Sequence, residues 1–166
     1  MISKTEIQRN LRELDSRYRK ARTPKDMLYF SKLAIIELCG WIETSMDEIA
    51  DSCARKYIKS ADNLAIVRRS IKKIHGFHYD DHFRPLLINV IGMITWEKIE
   101  ARFDPAKRDL LAVQLASLKT MRDSEAHTFI KGVTRIIAAP SVSIAAFNQV
   151  YPGLKELDNL VRKLKL

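Results

Sequence analysis

Apolar residues recur every three to four positions through most of the chain, and strand-like alternation persists nowhere. Ile7, Leu11, Leu14 and Tyr18 mark a first helix from about Thr5 to Ala21. Thr23 as N-cap, Pro24 at the first helical position and Asp26 two places later then form a start signal. The helix they open is expected to run to about Ile58. Its apolar set is broad (Leu28, Leu33, Ile35, Ile36, Leu38, Trp41, Ile42, Met46, Ile49), which predicts the central helix of a bundle. Ser60 caps a third helix reaching about Ile74. "HGFHYDDHF" interrupts the pattern, and a fourth helix is expected from about Phe83 to Phe103, with Pro85 in its first turn. Asp104 and Pro105 repeat the start signal. Further helices are expected around "RDSEAHTFIKGVTRIIA", from a cap at Ser141, and from Pro152 to the end. The fold class is therefore all-α: one domain over residues 1–166, an antiparallel helical bundle with extra short helices.

Length and composition agree. A chain of 166 residues buries a core without disulfides or metal, and five Gly and five Pro are too few for a turn-rich β fold. Cys39 and Cys53 stand about 21 Å apart along one helix, so they read as buried reduced thiols of a cytoplasmic protein. The opening "MISKTEIQRN" has no apolar signal-peptide segment, and "PLLINVIGMITW" is too short to span a membrane.

Charge adds a partner. The net charge of +9 and pI of about 9.7 suit a polyanion, nucleic acid first. Acidic and basic segments alternate. The stretch around Arg68, Arg69, Lys72 and Lys73 is the clearest RNA-binding candidate.

Few residues offer chemistry. No phosphate loop, nucleophile elbow or C-x-x-C is present. His75, His78 and His82 have ligand-like spacing beside Asp80 and Asp81, but a polar loop is the better reading, and no metal or cofactor is expected. Glu43 and Asp47 share a helix face, as two carboxylates of a solvated surface also do.

"LKTMRDSEAHTFIKG" holds Arg122, Asp123 and His127. An imidazole can take the proton of a ribose 2′-OH or give one to the leaving 5′ oxygen. A guanidinium can grip the phosphate as charge builds on it. The nucleophile belongs to the RNA, so neither a metal nor a protein nucleophile is required. On a straight helix the Arg and His side chains lie roughly 140° apart and flank a groove. A twofold dimer would bring two of each to one cleft. Spacing alone favours a capping or surface Arg and a satisfied His.

"MRDSEAH" resembles the R-x4-6-H motif of the HEPN superfamily, with a polar residue directly after the Arg. "LAIIELCGWIETSMDEIADS" resembles the long early helix of the RiboL-PSP-type branch, where an aromatic residue and a Glu stand together. The resemblance implies a HEPN-like bundle and a metal-independent ribonuclease acting as a homodimer. Arg122 and His127 would be catalytic, Asp123 would fill the polar position, and Glu43 would be the helix-borne acid of the same cleft. It also implies a toxin or antiphage effector, with a protein antitoxin as a further partner. Phe129 stands where related toxins carry a modified Tyr, which argues against that modification here. The rival reading is a non-catalytic module binding RNA or protein.

Overall fold

The structure, a computed structural model, describes residues 1–126, 130 and 136–164. Among the described residues seven α-helices follow one another: α1 (Thr5–Arg19), α2 (Pro24–Tyr57), α3 (Ala61–Lys73), α4 (Arg84–Ile91), α5 (Met93–Glu100), α6 (Pro105–Ala126) and α7 (Pro140–Arg162). A single π-helical turn, Tyr79–Phe83, leads into α4. Among the described residues there is no strand, and no helix is long and apolar enough to cross a membrane.

Helix α2 is the hub, packing against α1, α3, α4, α6 and α7. Helix α1 runs antiparallel to it: Trp41 Nε1 donates to Ser3 O at 2.9 Å, and Asn10 reaches Glu37 further along. Ile7, Leu11 and Leu14 bury the inner stripe of α1, and Ala34, Leu38, Ile42, Ile49 and Ala50 are wholly enclosed on α2. Helix α7 presents Phe147, Val150, Leu154, Leu157 and Val161 to the same core. Burying each such side chain contributes about 1.5–3 kcal/mol, and this packing holds the helices together.

The start signals act locally as expected. The Thr23 hydroxyl accepts from the Asp26 amide at 3.1 Å, Ser60 accepts from Asn63, and Asp104 accepts from Lys107. Three expectations fail. The fourth helix is two, broken at Gly92, whose φ of 78° a helix cannot include. The helix expected from Ser141 starts instead with Pro140 at its first position. Nor does Pro152 open a helix; it lies inside α7, on the exposed side. Its missing N–H costs that helix a bond. The next residue, Gly153, lies against α6, where a Cβ would stand 3.0 Å from Leu111 Cβ and 3.1 Å from Lys107 O. Packing on both sides of the proline carries the helix through.

Cys39 and Cys53 are buried free thiols. Trp96 is fully buried, and Trp41 packs edge-on to Phe147.

Candidate functional site

Arg122 and Asp123 sit near the C-terminal end of α6, which is continuous from Pro105 rather than restarting at "RDSEAH". Arg122 points at α2. Its Nη1 donates to Glu43 Oε1 at 2.7 Å, and its Nε donates to Asp123 Oδ1 at 3.2 Å. The guanidinium carbon lies 5.3 Å from the centre of the Phe77 ring, a cation–π distance. Arg122 and Glu43 are each about one-third exposed, so the pair is sheltered yet reachable. These contacts fix the plane of the guanidinium. The two bonds use one proton of Nη1 and that of Nε, out of five N–H donors.

Asp123 is shared. Lys119, one turn back on α6, donates to its other oxygen at 2.8 Å. The Lys119 hydrogen bond, aided by Arg122, holds the Asp123 carboxyl below its usual range. Beneath the site the buried Cys39 thiol donates weakly to Leu118 O at 3.9 Å. Burial pushes its pKa up to about 12, against the opposing pull of Arg122, so Cys39 is an inert packing residue.

One turn along α2 from Glu43 stands Asp47, half-buried. Burial and then the Glu43 charge raise its pKa to about 6, with His75 opposing. Asp47 opens into a cleft of about 530 Å³ between α2 and α3, lined by Thr44, Asp47, Glu48, Asp51, Arg68, Ile71 and Lys72.

The sequence-level candidates therefore divide. Arg122, Asp123 and Glu43 come together. His127 and Phe129 lie outside the described residues. Arg68, Arg69, Lys72 and Lys73 are all exposed on α3, but Arg68 is bonded to Asp51 at 2.7 Å and offers less free charge to RNA. Among the described residues, Arg69, Lys72 and Lys73 have no ion pair. His78 caps the π-helical turn, with Nδ1 3.0 Å from Asp81 Oδ2. Among the described residues no group of three His, Cys, Asp or Glu side chains gathers as metal ligands. Two contributors escaped the sequence reading. Lys119 was legible as an i, i+4 partner of Asp123. Phe77, in an irregular loop, left no signal.

Comparison with protein-family models, curated proteins and solved structures finds no match to this chain.

Proposed function

We propose that the protein is a metal-independent endoribonuclease of the HEPN type, acting as a homodimer. The observation that carries the reading is the Arg122 guanidinium held by Glu43 at 2.7 Å and by Asp123 at 3.2 Å over the Phe77 ring. Glu43 on α2 and Phe77 in the loop after α3 hold the guanidinium from outside its own helix, and the adjacent Asp123 adds a third contact.

In the proposed reaction Arg122 holds a non-bridging phosphate oxygen through donors that Glu43 and Asp123 do not use. Its charge stabilises the phosphorane as electron density builds there. The ribose 2′-oxygen attacks phosphorus, and its proton passes to a base. The P–O5′ bond breaks and the 5′ oxygen takes a proton, leaving a 2′,3′-cyclic phosphate. His127, next in the chain after the last residue of α6, is assigned the proton transfers. A second copy would supply a second imidazole, so that base and acid need not be one group. Exposed Arg69, Lys72 and Lys73 supply non-specific phosphate attraction. Such an activity suits a toxin or antiphage effector.

The test is cleavage of a mixed panel of single-stranded and structured RNA in excess EDTA, with the wild type beside Arg122→Ala and His127→Ala. Cleavage lost in both variants, with far-UV circular dichroism unchanged, is the expected result. Cleavage retained in both would sink the assignment. A folded wild type that binds RNA without cutting it would favour the non-catalytic module.

A further inference from the structure

The cleft between α2 and α3 has a particular balance of satisfied and unsatisfied charge. Asp51 is doubly compensated, by Arg55 at 3.0 Å and Arg68 at 2.7 Å. Glu48 lies 3.7 Å from the amino group of Met1. The Thr44 hydroxyl already donates to Gly40 O. Two lining groups have no such partner. Among the described residues the Asp47 side chain takes part in no hydrogen bond or ion pair, although it is half-buried and feels Glu43 and His75 electrostatically. Lys72, across the cleft on α3, is exposed and unpaired among the same residues. Ile71, itself only 4% exposed, backs the α3 wall of the cleft.

A ligand that completes this cleft presents two adjacent N–H donors to one carboxylate and an anion to an ammonium. We infer that the α2–α3 cleft is a base-selecting subsite that takes a guanine nucleotide, with Asp47 accepting from the guanine N1–H and N2–H and Lys72 holding its phosphate. The choice of a nucleotide rests on the ribonuclease reading; the choice among bases rests on the carboxylate. Guanine alone sets two N–H donors side by side on its Watson–Crick edge. Adenine and cytosine place a ring-nitrogen acceptor beside the amino group, and uracil flanks its one N–H with two carbonyls. Each would turn a lone pair toward Asp47. The raised pKa of about 6 still leaves Asp47 ionised at neutral pH, and a half-desolvated carboxylate gains from donors more than a hydrated one. Placement agrees. Asp47 lies one turn beyond Glu43, about 6 Å along α2, so the subsite adjoins the Arg122 cluster.

The subsite is tested by titrating the full-length protein with 3′-GMP, 3′-AMP, 3′-CMP and 3′-UMP at neutral pH, by calorimetry and amide chemical shifts. These measurements do not depend on cleavage. GMP is expected to bind about tenfold tighter than the other three, the discrimination of one bidentate pair, with shifts centred on residues 44–51 and 68–72. Asp47→Asn should abolish the preference for GMP. Lys72→Ala should weaken all four nucleotides alike, since the phosphate is common to them. Equal affinity for the four bases, or shifts elsewhere on the molecule, would overturn the subsite. So would tighter binding of N-acetylarginine amide than of GMP, which would make the cleft a seat for a peptide guanidinium. If GMP binds as expected and no RNA is cut, the ribonuclease reading fails and the subsite stands. If RNA is cut without a base preference in binding, the reverse holds.

Discussion

Arg122 and Glu43, seventy-nine positions apart in the chain, meet at 2.7 Å across the contact of α6 with α2. The bond makes Glu43 an anchor for the guanidinium and a source of negative potential for Asp47 one turn away. Removing it has two separable effects. Glu43→Ala should lower stability by about 1 kcal/mol, the value of a part-exposed pair. Glu43→Gln keeps an acceptor and should retain more of any RNA cleavage than Glu43→Ala does, because the guanidinium stays oriented. In both, loss of the neighbouring charge should lower the Asp47 pKa from about 6. Carboxyl-carbon NMR titration reads this directly. An Asp47 midpoint unmoved in Glu43→Gln would mean the two carboxylates do not interact.

Asp47 should also shape stability against pH. Its folded pKa, about 6, lies above the ordinary 3.8, so the fold favours the protonated form. That contribution is complete below pH 3.8 and is lost as pH rises through about 6. Asp47→Asn removes the cost of ionisation. The nominal shift is discounted because the group is half exposed, and the expected gain at pH 7.5 is about 1 kcal/mol. That corresponds to a Tm rise of about 2–4 °C. At pH 4 the gain should vanish. Thermal melts of both proteins at the two pH values check it, and a gain of equal size at both would point to a cause other than ionisation.

Two glycines should respond oppositely to alanine. At Gly153 a Cβ meets Leu111 Cβ at 3.0 Å and Lys107 O at 3.1 Å, so Gly153→Ala must push α7 off α6. Overpacking of this kind costs about 1–3 kcal/mol and outweighs the gain in helix propensity. At Gly40, mid-α2, a Cβ meets nothing within 4 Å, so Gly40→Ala should stabilise by about 0.5–1 kcal/mol. Denaturant midpoints of the two variants should fall on opposite sides of the wild type.

Asp158 is fully buried and accepts from Arg162 Nε at 2.6 Å and from the Ile2 amide at 3.2 Å. It ties the start of the chain to α7. Asp158→Ala leaves both donors without their acceptor and should cost about 3 kcal/mol. The Tm should fall by about 6–12 °C. Amide exchange at Ile2 should accelerate as well, and an unchanged rate there would show that this bond does not hold the N-terminal segment.

Much of this protein is settled by contacts only a few residues long. The helical period of Ile7, Leu11 and Leu14 and the caps at Thr23, Ser60 and Asp104 act over one turn, so the sequence alone determined where those helices begin and that the fold is all-α. The motif positions Arg122 and Asp123 were legible for the same reason, as was the face shared by Glu43 and Asp47. Local rules misread Pro152, because whether a proline ends a helix depends on what its two sides pack against. They misread the fourth helix too, because a glycine inside an apolar run shows its φ only once the flanking segments have found α2 and α7. Which acid meets Arg122, that Phe77 lies under it, and that Asp47 and Lys72 face one cleft depend on how α2, α3 and α6 are set against one another. Those placements come from burying many weak contacts at once, a sum over the whole core that no short stretch of sequence carries.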